Sequence, residues 1–147
     1  AVDGNAMCVK KHDGTVWVGL GGRTDRTGFE QLAEHLRGLA ERVVAVPVSK
    51  VLHLKSAVTA LPEGTIIGYE PLVDDVESWG EDFLGMPEEA GAHVVILAPD
   101  TVLMASSAPE SIAKMQARGL NVVQVDISEY EKLEGCVTCL SVRLRGL

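Results

Sequence analysis

The sequence predicts an α/β fold made of a ββαβ unit repeated about three times, and three observations predict it. Turn residues at Gly14, Gly64 and Pro99 each separate two short apolar runs, which is the pattern of a β-hairpin. Each hairpin is followed by a stretch with helical character. Each of those is followed in turn by a further apolar run, most faintly in the second unit. The 147 residues fall in the size range of one domain, with modules at about 1–50, 51–91 and 92–147.

In the first unit, 6–10 and 15–20 are joined by His12-Asp13-Gly14, and Asp-Gly between such runs is a strong hairpin signal. A loop, Gly19-Leu20-Gly21-Gly22-Arg23-Thr24-Asp25, follows, and Thr27 with Glu30 reads as a capping box. Phe29, Leu32, Leu36 and Leu39 recur at steps of three and four, predicting an amphipathic helix, and the continuous apolar run 43–48 predicts a buried strand. In the second unit, 56–61 and 65–69 flank Pro62-Glu63-Gly64, and a weakly patterned helix is expected over about 73–84. In the third, 93–98 and 101–105 flank Pro99-Asp100. Pro109 stands where a first helical residue would, Ile112 and Met115 mark an inner face, and Gly119 a C-cap. The run 122–125 reads as a buried strand.

A ββαβ unit cannot bury its apolar faces alone, so copies must stack or close around an axis. Three copies form an open arc with exposed strand edges. The chain also opens Ala1-Val2-Asp3-Gly4-Asn5 without an initiator Met. The expectation is therefore that an N-terminal portion is missing, and that this chain self-associates or pairs with that portion.

Twenty-one acidic against thirteen basic residues leave a net charge of −8, with the basic residues scattered. That argues against nucleic acid as a partner and in favour of a cationic small molecule. No run of about 18 uncharged apolar residues occurs, so no membrane span is expected. Three cysteines and no secretory signal point to free thiols in a reducing compartment, with the cytoplasm as the expected location.

Chemistry concentrates near the C-terminus, in Glu134-Gly135-Cys136-Val137-Thr138-Cys139-Leu140-Ser141-Val142-Arg143-Leu144. Alternation of Leu140, Val142 and Leu144 with Ser141 and Arg143 predicts a half-buried strand, with Cys139 at its mouth as a candidate nucleophile. The competing reading is a cysteine that packs as a small hydrophobe. Cys136 and Cys139 form a C-x-x-C pair, but three residues apart on a strand they would point to opposite faces, which disfavours a redox or zinc role. The glycine loop lacks the third glycine of a dinucleotide fingerprint, since Thr24 stands there. What it offers is Arg23, either a fork for a carboxylate or a solvated turn residue. His53 follows the run 43–48 at a point where side chains project from a strand end, and so is either a general acid/base or a packed histidine. His12, His35 and His93 carry no such signal. Asp3 is an available carboxylate to orient an imidazole.

Val2-Asp3-Gly4-Asn5 before a hairpin, Gly21-Gly22-Arg23-Thr24-Asp25-Arg26-Thr27-Gly28 before a helix, Leu52-His53-Leu54-Lys55-Ser56, and Glu134-Gly135-Cys136-Val137-Thr138-Cys139-Leu140-Ser141, in that order, resemble the dimethylarginine dimethylaminohydrolase family. That family belongs to the guanidine-modifying pentein superfamily. The resemblance implies a pentein-type α/β propeller of five ββαβ modules, of which this chain would supply the last three. It implies hydrolysis of N-omega-methylated arginines to citrulline and dimethylamine through a covalent thiouronium on Cys139. His53 would be the general acid and base, and Asp3 the carboxylate that holds it. Arg23 would grip the substrate carboxylate, and Glu134 would line the pocket near the guanidinium. No metal or organic cofactor is required. Arginine deiminase and amidinotransferase are the neighbouring activities, and a non-catalytic self-associating module is the reading from another class. Gly4-Asn5-Ala6 departs from the family's usual Gly-Gly-Asp, and the family's remaining guanidinium carboxylates and a further substrate arginine come from modules this chain lacks.

Overall fold

The computed structural model describes residues 8–10, in backbone only, and 13–142. Cys8–Lys10 (β1) runs antiparallel to Thr15–Leu20 (β2), and β2 runs parallel to Arg42–Pro47 (β3). The turn between β1 and β2 closes as its sequence predicts. Asp13 Oδ1 accepts from the Thr15 amide at 3.0 Å, and Gly14 takes a left-handed φ of 82°.

The same arrangement recurs twice. Val58–Ala60 (β4) is antiparallel to Ile66–Gly68 (β5), which is parallel to Phe83–Gly85 (β6). Val95–Ala98 (β7) is antiparallel to Thr101–Ala105 (β8), which is parallel to Asn121–Val125 (β9). Arg26–His35 (α1) makes the first crossover and Pro109–Ala117 (α3) the third. Two four-residue helices, Leu54–Ala57 (α2) and Ser128–Glu131 (α4), lie outside this pattern. None of the helices among the described residues is long and apolar enough to cross a membrane.

The middle sheet explains how the units hold together. Side chains alternate along a strand, so consecutive β5 residues serve two cores. Ile66 packs with Val46, Val58 and Trp79, while Ile67 packs with Val102, Met104 and Met115. Trp17 of β2 reaches Trp79 with ring centroids 5.3 Å apart, tying the first sheet to the second. A third, smaller cluster of Ala105, Ile127 and Val137 lies under the segment that carries the cysteines.

Several expected elements differ. The second crossover is not an α-helix over 73–84. It is a pair of 3₁₀ segments, Glu70–Leu72 and Glu77–Asp82, the latter broken at Gly80 with φ 62°. The apolar spacing is too weak to favour one face, and Gly80 interrupts it. Helix α1 is capped by Asp25, whose side chain accepts from the Gly28 amide at 2.7 Å, rather than by Thr27. Strand β9 is largely exposed, with Val123 at 45%, because among the described residues it has β8 on one side and no paired strand on the other. His93 precedes β7 instead of opening it, and closes the 3₁₀ segment Glu89–Ala92.

Gly91 marks where that segment meets α3. A Cβ there would lie 2.0 Å from Ser111 Oγ, and Ser111 is fully buried, donating from its amide and its hydroxyl to Glu88 at 2.7 and 2.5 Å. Gly91→Ala must push α3 away, and is expected to cost about 1–3 kcal/mol. A lowered midpoint in urea denaturation checks this; an unchanged midpoint would mean that the contact relaxes freely.

Candidate active site

The loop from β3 to α2 carries His53. Ahead of it, Ser49 is clamped to Asp74, whose carboxylate accepts from the Ser49 amide at 2.9 Å and from its hydroxyl. Lys50 Nζ donates to the Val73 carbonyl at 2.7 Å. His53 then sits at the N-cap of α2 with extended backbone, and its side chain makes no capping bond. Its Nε2 is buried.

The glycine loop approaches this point closely. A Cβ on Gly21 would fall 2.4 Å from the Val48 carbonyl oxygen, so only a glycine lets the loop pass there. The result is a small cavity of about 210 Å³, counting its open mouth, lined by Arg23 and His53 together with Thr24, Val48 and Leu54. Residues 30 apart in sequence thus share one wall. Arg23 itself is exposed.

The cysteine segment is not a strand. Residues 137–140 form a turn, in which the amides of Cys139 and Leu140 donate to the Cys136 carbonyl at 2.9 and 3.1 Å. Leu140 and Val142 face solvent, at 48% and 88% exposure, so the alternation has no core to bury against. The turn is tied to α2 by Lys55, whose Nζ donates to the Thr138 carbonyl at 3.0 Å. This single bond spans 83 positions of sequence. It brings the neighbour of Cys139 to within two residues of His53.

The turn also reverses the expected placement of the two thiols. They do not point to opposite faces: their Sγ atoms lie 3.2 Å apart. Cys136 is buried and Cys139 exposed. Cys136 is also hydrogen-bonded to His93, which donates from Nε2 to the Ser56 carbonyl at 3.0 Å. Burial alone would raise the Cys136 thiol, but the hydrogen bond and the charge of His93 lower it to about 6. Burial would likewise lower His93, yet Cys136, the Ser56 carbonyl and Glu89 together raise it. Each group thus favours the charged form of the other, the thiolate on Cys136 and the imidazolium on His93. Cys139 shifts the other way, raised by burial and by the neighbouring Cys136, with the Lys55 charge acting against that.

Glu134 lies on a second cavity, about 530 Å³ including its open mouth, which it shares with Glu89, Glu131, His93 and Cys136. It is held there by an unusual helix end. The Gly135 amide donates to Tyr130 O and the Glu134 amide to Glu131 O, the double bond pattern of a Schellman cap. Glu134 fills the left-handed position with φ 59°, where α3 has Gly119 at φ 86° in the same pattern.

Asp3 lies outside the described residues, as does residue 143 onward. The structure thus sets His53 and Arg23 on one cavity, ties the helix that follows His53 to the Cys139 turn through Lys55, and sets Glu134 on the cavity behind Cys136, while Cys139 lines neither cavity. His93 was passed over in the sequence. Nothing local distinguishes it, because its partner is 43 positions away and the turn that joins them has no pattern of its own. Among the described residues, no three His, Cys, Asp or Glu side chains are arranged to hold a metal ion.

An Arg23→Ala substitution tests the shared cavity. If Arg23 holds a substrate carboxylate, KM rises sharply, and a substrate lacking the carboxylate is indifferent to the change, as a double-mutant cycle reads out. Arg23→Lys restores charge without the planar fork and recovers only part of the loss. Equal losses on both substrates would make Arg23 a structural residue.

No protein-family model matches the chain. It is 59% identical over 139 residues to the N(G),N(G)-dimethylarginine dimethylaminohydrolase of Streptomyces coelicolor, covering 95% of this chain and 54% of that protein. It is 32% identical over 143 residues to the protein of the same name from Pseudomonas aeruginosa, again over 95% and 54%. Among solved structures it is similar to the DDAH of Pseudomonas aeruginosa, a Cys-to-Ser mutant complexed with citrulline. That match has a TM-score of 0.78 at 28% identity and covers 93% of this chain and 54% of that one. The chain spans about half the length of the curated relatives it matches.

Proposed function

We propose that the chain is the C-terminal portion of a dimethylarginine dimethylaminohydrolase, supplying three of five propeller modules, at about 1–50, 51–91 and 92–147. The observation that carries this reading is the Lys55–Thr138 bond, which draws the Cys139 turn to the start of α2 beside His53, in a chain 59% identical to such a hydrolase. Three sheets of one strand arrangement agree with repeated modules.

In the proposed reaction, Arg23 binds the carboxylate of a methylated arginine and Glu134 faces its guanidinium. The Cys139 sulfur attacks the guanidinium carbon, and the substrate's own positive charge favours the thiolate there. His53, oriented by Asp3, protonates the departing dimethylamine, leaving a thiouronium on Cys139. Water deprotonated by His53 then attacks the same carbon, the C–S bond breaks, and citrulline leaves.

Leu97 and Val123 expose apolar surface on the third sheet, at 49% and 45%. An N-terminal portion covers such surfaces in the complete protein, and a second copy covers them in its absence. The test is product analysis with the N-terminal portion present, alongside light scattering and a citrulline assay on these 147 residues alone. Dimethylamine with citrulline supports the reading, whereas ammonia, or a new guanidino compound, would reassign the chain to a deiminase or an amidinotransferase. The isolated chain is expected to associate and be silent, because misplacing reacting groups by about 1 Å can cost a hundredfold. A monodisperse monomer that turns over substrate would overturn the partial-site reading.

A further inference from the structure

We infer that Cys136 and Cys139 are a peroxide-responsive pair, in which the His93-bound sulfur of Cys136 is oxidised first and Cys139 then closes a reversible disulfide. The geometry is already that of such a couple. The two Sγ atoms are 3.2 Å apart, and the Cys139 amide bond to the Cys136 carbonyl holds the two residues in one turn. Turns of that kind keep the end Cα atoms within about 7 Å, which covers the separation a disulfide needs. Closing the bond therefore asks for no movement of sheets. A small oxidant reaches Cys136 through the cavity that Cys136 and His93 line.

Charge supports the same order of events. Cys136 is the thiol of the pair that is lowered, with His93 and its neighbour Glu89 on one side and the Thr138 hydroxyl at 3.0 Å on the other. Cys139 is the partner whose thiol is raised, with Lys55 beside it, while Glu131 and Glu134 face the cavity. In the first step the Cys136 sulfur attacks one oxygen of hydrogen peroxide and the O–O bond breaks. The departing hydroxide takes a proton from the imidazolium or solvent as water, and the sulfur, oxidised by two electrons, is left as a sulfenic acid. In the second step Cys139 loses its proton and its sulfur attacks the Cys136 sulfur. The S–O bond breaks, and hydroxide leaves with that proton as a second water. A dithiol reverses the result by exchange.

The consequence for turnover rests on the proposed role of Cys139: the disulfide occupies the candidate nucleophile and switches the site off. The chemistry of the pair is tested without any substrate. The chain is treated with hydrogen peroxide, digested without reduction and mapped by mass. The expected product is lighter by two hydrogen atoms, linked between Cys136 and Cys139, and restored by dithiothreitol, and Cys139→Ser leaves a sulfenic acid on Cys136 that dimedone traps. A link through Cys8, or direct passage to sulfinic acid with no disulfide, would overturn the proposal. His93→Gln is expected to shift the pH midpoint of Cys136 oxidation upward by about two units, toward an ordinary thiol. An unchanged profile would remove His93 from it. Should that variant misfold, the pH dependence of Cys136 alkylation in the unaltered chain decides the point. A midpoint near that of a free thiol, about 8.5, would overturn the assignment of Cys136 as the first to react.

Discussion

Cys139→Ala, in a protein that combines this chain with the proposed N-terminal portion, is expected to lower kcat/KM about ten-thousandfold or more, whereas Cys136→Ala leaves it within about tenfold. The contrast is informative because the simpler electrostatic argument points the other way: the thiol of Cys136 is lowered and that of Cys139 is raised. Exposure decides between them. Cys136 is 5% exposed with its sulfur committed to His93, while Cys139 stands at the surface of the turn. In the proposed reaction the guanidinium meets the exposed Cys139 and brings the positive charge that its raised thiol needs. Citrulline production in the two variants measures the difference. A comparable collapse in Cys136→Ala, with the fold intact by circular dichroism, would move the nucleophile to the Cys136–His93 pair.

His53→Ala is expected to lower kcat by about a hundredfold or more, the usual size of a general acid/base contribution. The structure makes this residue a plausible target for such a loss because its place is fixed from both sides. Asp74 and the Val73 carbonyl hold the preceding residues Ser49 and Lys50, and Lys55 anchors the following helix to the cysteine turn. The rate–pH profile should lose one limb in the variant, and added imidazole should restore part of the rate. Near-normal turnover, or a uniform loss that imidazole does not touch, would take His53 out of proton transfer.

Hairpins and the first and third crossovers were legible because each rests on local chemistry: Asp13-Gly14 for one turn, Pro109 and Gly119 for the two ends of α3. Failures occurred where a long-range contact outweighs the local pattern. Leu140 and Val142 alternate like a strand, yet the Cys136 carbonyl gathers two amides and bends the chain before pairing can begin. Val122 to Val125 read as buried because apolar runs usually are, but burial depends on which neighbours cover β9, and its own residues do not specify that. The site divides the same way. Cys139, His53, Arg23 and Glu134 were singled out by residue type and setting, while the two sulfurs' proximity and the role of His93 depend on a turn and a contact across 43 positions.

The two Schellman caps put a question of evolutionary cost in local terms. Gly119 fills the left-handed position of α3 without strain, whereas Glu134 fills the equivalent position of α4 at a cost of about 1 kcal/mol. Glycine at 134 would be the easier choice for folding, and it would remove one of the two carboxylates, with Glu131, that this helix end sets on the cavity behind Cys136. A stability-driven redesign of the chain would pick that substitution early, and it would select against the chemistry proposed here. Position 134 is therefore where folding and the proposed catalysis make opposite demands on a single φ angle.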